Sequence, residues 1–335
     1  MIYPEFPSKG DVIGICAPSA GVGGKIESFD LSIDTLTGAG FGILETESVR
    51  SVDYPSASAI IRGREFNEVF ADDGIKAVIC ASGGDYTSEM LPYIDANLLR
   101  TDPKWFIGYS DPTSIELFLT TKLDIASIYG INAGSLDWRP LHPFQENALK
   151  IISGDIVKQT SFEYYSLAGF SEEGYALDTP VEWKTIWPLS ASDAGRLDVT
   201  GRLIGGCIDV IDEIIGTEFE DLRGFADRYA SDGFIWYFDT FEMNPMRIFY
   251  SLQRMRFLGL FDNAKAVVFG RVFLPGESTD EEYIEQIQRV FEGLDIPIVW
   301  GADIGHTKPS FMIINGAIGH LAMSGGKAEL EMSLK

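Results

Sequence analysis

The chain is poor in the residue types that carry much chemistry elsewhere. Its 335 residues include three cysteines and three histidines, and 26 cations stand against 50 acids, a formal net charge of −24. Cys16, Cys80 and Cys207 are odd in number and far apart in sequence. That suits reduced thiols in a cytoplasmic protein and excludes a disulfide framework. His142, His306 and His320 come with neither an H-E-x-x-H helix nor paired cysteine spacing, so neither a metal nor any other cofactor is expected. Phosphate contacts need clustered Lys and Arg, and the sequence offers no cluster, so no nucleic-acid partner is expected. An anionic membrane surface is disfavoured on the same ground. No apolar run approaches the roughly 20 residues of a spanning helix. The first residues, Met1-Ile2-Tyr3-Pro4-Glu5-Phe6, lack the basic and apolar regions of a secretory signal. The surplus of acid reads as a solubility device.

What is present is enough to build a core. With 45% hydrophobic residues over this length, the chain suits two domains better than one. In the first half, short apolar runs (Asp11–Ala17, Phe41–Glu45, Lys76–Ala81, Trp105–Gly108) alternate with amphipathic stretches (Lys25–Ala39, Ala57–Ala71, Asp85–Ala96). This alternation predicts an α/β fold with a parallel sheet covered on both faces. Open sheets of that kind carry their sites beyond the carboxyl ends of the strands. That rule singles out Pro18–Gly24, Ser82–Tyr86 and Tyr109–Thr113.

Residues 156–200 break the rhythm. They read as a linker plus an elaborated loop bearing Tyr164, Tyr165, Phe170, Tyr175, Trp183 and Trp187. Such a loop is either a lid or binding segment, with Trp183 or Trp187 meeting substrate, or the packed edge of a second domain. The domains then run 1–155 and 201–335. In the second, Ile204, Ile208, Ile211 and Ile215 predict a helix over Leu203–Ile215. A strand at Gly233–Phe238, a helix at Pro245–Leu258, a strand at Ala264–Phe269, a helix near Asp280–Gly293 and a strand at Ile296–Trp300 follow. Short β segments close the chain.

Two motifs invite chemistry. Gly21-Val22-Gly23-Gly24-Lys25 looks like a phosphate loop but fails on spacing, because Ser19 stands where the first Gly belongs and Ile26 where Ser or Thr belongs. The second is Gly108-Tyr109-Ser110-Asp111-Pro112, where an apolar strand runs through a tight turn into a helix expected at Ser114–Lys122. This is the pattern of a nucleophile elbow, which lifts a serine hydroxyl above a sheet. It is also the pattern of a helix start, with Asp111 as N-cap and Pro112 in the first turn. The paired glycines Gly83-Gly84 end the preceding strand and let a backbone approach a ligand closely. A serine nucleophile needs a base. His306, in the polar loop Gly305-His306-Thr307-Lys308-Pro309, suits best, since His142 lies in a Pro-rich turn and His320 in an apolar β-like run. Asp239 directly after the strand, or Glu242 three residues on, would orient it.

At these residues the chain resembles the LD-carboxypeptidase family of serine peptidases, which includes the microcin C immunity proteins. The similarity rests on GDVIGICAPSAG, ASGGDYTSEMLPYID, KWFIGYSDPTSI, GRLIGGCIDVI, YFDTFEMNPMRIFYSLQRM and GADIGHTKP, in that order. It implies an N-terminal parallel-sheet α/β domain with a nucleophile elbow and a second α/β domain. It also implies a metal-independent hydrolase of peptide amide bonds, with a serine–acid–histidine triad assembled across the domain boundary, and a homodimer. Ser110 matches the nucleophile and His306 the base, while the Gly84 and Asp111 N–H groups match the oxyanion hole. The implied substrates are murein peptides or peptidyl- and aminoacyl-nucleotides. The chain departs from the family at Asp239, where relatives carry Glu, and at Cys207, where many carry Asn. The Asp239 departure also admits a relative that binds a peptide-like ligand without hydrolysing it.

Overall fold

Buried, uninterrupted apolar strands are the mark of a parallel sheet covered on both faces. The first half of the chain supplies them in β1 (Val12–Cys16), β3 (Ile75–Cys80), β4 (Trp105–Gly108) and β5 (Ser127–Tyr129), with β2 (Gly42–Glu45) at the edge and partly exposed. The computed structural model describes residues 1–166, 176–188 and 195–335, so Phe170 and Tyr175 lie outside the described residues. The chain divides into two units. One comprises Met1–Val157 with Thr217–Glu220 and Met312–Asn315. The other comprises Lys158–Gly216, Asp221–Phe311 and Gly316–Lys335.

In the first unit, β5, β4, β3, β1 and β2 lie side by side, all parallel. The strand Ile313–Asn315, from near the far end of the chain, adds antiparallel to β5. Helices Ile26–Gly38 and Ala59–Ala71 form where amphipathic spacing predicts them, the second started by the Ser58 side chain accepting from the Ile61 N–H. The stretch after β3 differs from expectation. Thr87–Tyr93, which contains Pro92, is 3₁₀, and an α-helix begins only at Ala96, capped by Asp95. Proline has no N–H to give an α-helix. The helix after β4 also changes character: Thr113–Leu117 is α, and Phe118–Lys122 widens to a π turn.

The second unit holds β6 (Gln159–Thr160), β7 (Tyr164–Tyr165), β8 (Thr179–Pro180), β9 (Lys184–Trp187), β10 (Arg196–Cys207), β11 (Phe234–Thr240), β12 (Ala264–Val272) and β13 (Ile298–Ala302). Counting Ile313–Asn315 as β14, β15 (Ile318–Ser324) and β16 (Lys327–Ser333) complete it. Eight strands form one sheet in the order β6-β16-β15-β10-β11-β12-β13-β9, and β7 pairs with β8. The centre, β10 to β13, is parallel. The stretch read as linker thus supplies both outermost strands, β6 and β9.

The helix expected over Leu203–Ile215 is half strand. β10 runs through Cys207, and the helix is Ile208–Ile214. Gly205 decides the matter, since a Cβ there would lie 1.8 Å from the Tyr237 carbonyl oxygen on β11. Only a bare backbone lets the two strands pair so closely, and the four-residue spacing from Ile204 to Ile208 is incidental.

Two tests follow from this packing. Glu116, on the helix after β4, is fully buried, and burial pushes its carboxyl well above the usual range. The folded protein then keeps a proton that the unfolded chain releases above about pH 4.5. Each further pH unit costs about 1.4 kcal/mol until the folded group ionises. Glu116→Gln removes that cost, so its Tm should exceed that of wild type at pH 7 by a margin that shrinks towards pH 4.5. A margin independent of pH would contradict the protonated reading. Cys16, Cys80 and Cys207 are free and buried, and burial raises all three thiols. Titration with dithiobis(nitrobenzoate) should find almost no reactive thiol in the native protein and three after denaturation.

Candidate active site

The turn after β4 holds Ser110 at a φ of +72°, one of two non-glycine residues with positive φ among those described. A side chain there costs about 1–3 kcal/mol and persists only where its surroundings over-determine it. The surroundings do so from several sides. The Ser110 carbonyl accepts from the Thr113 N–H (2.9 Å) and hydroxyl (2.6 Å). The Ser110 N–H donates to the Tyr129 hydroxyl at 3.4 Å. Asn132 clasps the Tyr109 peptide groups, accepting its N–H and donating to its carbonyl. A Cβ built on Gly83 would lie 3.2 Å from Ser110 Oγ, so the absent side chain leaves the hydroxyl uncrowded.

Asp111 does not cap the helix; the N-cap is Pro112, without a side-chain bond. The Asp111 carboxylate instead accepts from the Thr87 N–H (2.9 Å) and hydroxyl (2.8 Å). It is buried, and burial pushes it upward against the pull of Ser19 and Thr87. This bond joins the turn after β4 to the loop after β3. Arg62, itself buried, grips the Tyr86 carbonyl of that loop (2.7 Å) and the Pro18 carbonyl after β1. Among the described residues, the backbone N–H groups of Gly84 and Asp111 have no hydrogen-bond acceptor.

In the second unit, Asp239 is the penultimate residue of β11 and has no exposed surface. Its Oδ2 lies 2.7 Å from His306 Nδ1, and its Oδ1 accepts from the His306 backbone N–H at 3.2 Å. Gly305 (φ +94°) makes the approach possible, because a Cβ there would lie 1.8 Å from Asp239 Oδ1. The imidazole stands against the Phe241 and Phe273 rings, 4.7 and 5.7 Å between centroids. A carboxylate beside Nδ1 favours a proton on that nitrogen and the lone pair on Nε2. Glu242 is exposed; its N–H and that of Phe241 donate to Asp209.

The remaining sequence candidates fall elsewhere. Trp183 is buried, its indole donating to Asp303 Oδ2 at 3.1 Å, and half-buried Trp187 donates to the Leu294 carbonyl. His142 caps the helix Pro143–Ile152, and His320 pairs with Asp198 on β10. Cys207 lies opposite Asp239 in the β10–β11 register. Sequence reasoning missed the support behind His306. Arg271 Nη2 meets buried Asp303 at 2.5 Å, and its Nε donates to the Thr307 hydroxyl at 3.3 Å. Asp303, three residues before His306, was the signal within reach. Among the described residues no cluster of His, Cys, Asp or Glu could hold a metal, and no helix is long and apolar enough to cross a membrane.

The first unit thus holds a serine on a strained strand-to-helix turn, and the second an imidazole beside a buried carboxylate. The LD-carboxypeptidase N-terminal domain matches residues 13–130, and the LD-carboxypeptidase C-terminal domain matches residues 200–321. The chain belongs to the LD-carboxypeptidase family. Among its relatives, the microcin C7 self-immunity protein of Escherichia coli is 25% identical over 315 residues, 90% of this chain and 87% of that one. The fold matches the structure of the immunity protein MccF in complex with glutamyl sulfamoyl guanosine, with a TM-score of 0.80 and 21% identity over 99% of this chain and 98% of that one. It also matches a muramoyltetrapeptide carboxypeptidase from Oxalobacter formigenes, with a TM-score of 0.72 and 22% identity over 96% and 99%.

Proposed function

We propose that this member of the LD-carboxypeptidase family is a metal-independent serine hydrolase of peptide amide bonds. The observation that carries the reading is the Asp239 carboxylate on His306 Nδ1, in a chain whose strained turn presents Ser110. In this reading Ser110 Oγ attacks the scissile carbonyl while His306 Nε2 takes its proton. The Gly84 and Asp111 N–H groups receive the oxyanion. His306 then returns the proton to the leaving amine, and water repeats the sequence on the acyl-enzyme. Asp239 fixes the ring and balances the imidazolium. None of these roles calls for a metal.

Two substrate classes fit the relatives. One is a murein peptide, as the name of the Oxalobacter enzyme suggests. The other is an aminoacyl- or peptidyl-nucleotide, as the sulfamoyl nucleoside on MccF suggests. A murein peptide offers a serine an amide bond, and an aminoacyl sulfamoyl nucleoside an acyl–nitrogen bond. We also assign the protein to the cytoplasm, in keeping with its three free thiols, and infer a homodimer from the family resemblance.

Ser110→Ala should fold normally and lose turnover by about 10⁵–10⁶-fold, measured on a murein tetrapeptide and on an aminoacyl sulfamoyl nucleoside in parallel. It should also lose labelling by a fluorophosphonate. Undiminished hydrolysis by this variant would sink the proposal, and binding without hydrolysis by wild type would mark a catalytically decayed relative. Asp239→Asn should lower kcat by about 10⁴-fold, whereas Glu242→Gln should change it less than about threefold. The opposite order would move the orienting role to Glu242.

A further inference from the structure

Lys308 is a buried cation two residues beyond His306 that the hydrolytic roles above do not use. We propose that Lys308 is a positioning residue for His306, its ammonium fixing the Gly305–His306 peptide and supplying the positive charge that faces buried Asp239. The proposal rests on reading Asp239 and His306 as the base pair of a hydrolase.

The geometry is specific. Lys308 Nζ donates to the Gly305 carbonyl at 3.1 Å and to Ser310 Oγ at 3.0 Å. That carbonyl belongs to the same peptide unit whose N–H, on His306, donates to Asp239 Oδ1 at 3.2 Å. One peptide plane is thus held at its oxygen by a cation and at its N–H by an anion, and the imidazole springs from it. Each of these bonds polarises the unit and strengthens the other. The far side of the loop is tied down as well, the Lys308 carbonyl accepting from the Ser166 N–H at 3.0 Å.

Charge requires a partner too. A lysine is almost never fully buried unless paired, and neutral oxygens satisfy its protons without balancing its charge. Asp239 attracts the ammonium and opposes the burial that lowers it to about 8. Near neutral pH the cation is therefore present. The other charged and titratable groups around the pair come from each neighbouring element. Cys207 ends β10, its thiol pushed well up by burial, and Asp209 lies on the following helix. Arg271 on β12 and Asp303 after β13 neutralise each other.

Removing the cation should stabilise the imidazolium, so His306 should ionise at higher pH. The test is NMR titration of the His306 ring, its resonance assigned by its loss in His306→Gln, in wild type, Lys308→Met and Lys308→Gln. Both neutral variants should move the His306 midpoint up by about one pH unit, tenfold in proton affinity. Lys308→Gln, which keeps a donor for Gly305, should retain more kcat than Lys308→Met, with KM little changed in either. An unmoved midpoint in folded variants overturns the proposal. Should both variants fail to fold, wild type decides: the ring shift should carry a second inflection near pH 8 as Lys308 deprotonates, and its absence overturns the proposal. The titration needs no substrate. Failure of the hydrolase reading would show separately, as turnover indifferent to Ser110→Ala.

Discussion

A carboxylate with no exposed surface must be matched by donors and charge or it will not remain ionised. Asp239 is in that position at the end of a central strand, and much of the second unit answers to it. The loop after β13 comes close enough to donate a backbone N–H only because Gly305 has no side chain. The imidazole takes the second carboxylate oxygen. Further out, Arg271 and Asp303 brace Thr307, and Asp303 also receives the Trp183 indole and the Phe162 N–H. The aromatic stretch that resembles a lid in sequence is thereby bound, through Trp183, to the loop that carries the histidine.

The first unit solves a different problem, which is strain in place of charge. Ser110 occupies a backbone region that side chains avoid, and its cost of about 1–3 kcal/mol has to be offset by neighbours. Threonine, tyrosine and asparagine side chains, all from elements beyond β4, hold the turn by its own peptide groups. Asp111 faces away from the helix it was expected to cap and stitches the turn to the loop after β3. Among the described residues, the N–H groups of Gly84 and Asp111, on that pair of loops, have no acceptor.

The strands of both units were legible because they are uninterrupted apolar runs closed by Gly, Pro or Asp. Their bounds fall within a few residues of the structure for β1 to β4 and β11 to β13. Legibility failed where a long-range approach decided the outcome. Leu203–Cys207 has helical spacing, yet it is a strand because the β11 backbone lies against Gly205, a contact that no local window contains. The strands β6 and β9 are only two and four residues long, and their neighbours in the sheet define them. Ser110 and His306 could be picked out because each follows a strand end, and Asp239 because it stands one residue short of one. Arg271 and Lys308 could not, since nothing near them in sequence says which buried groups they meet.

The shorter acid at position 239 brings these threads together. A carboxylate one methylene shorter than glutamate reaches less far from its strand, so the histidine must be brought to it. In this chain the Gly305–His306 peptide donates its N–H to one oxygen of Asp239, and the ring Nδ1 lies 2.7 Å from the other. Such a two-point contact fixes the ring's orientation as well as its distance, which a single bond to a longer and more mobile side chain would not. It also concentrates more of the loop's stability on one anion. A fully buried lysine clamping the opposite end of that peptide is what such an arrangement requires.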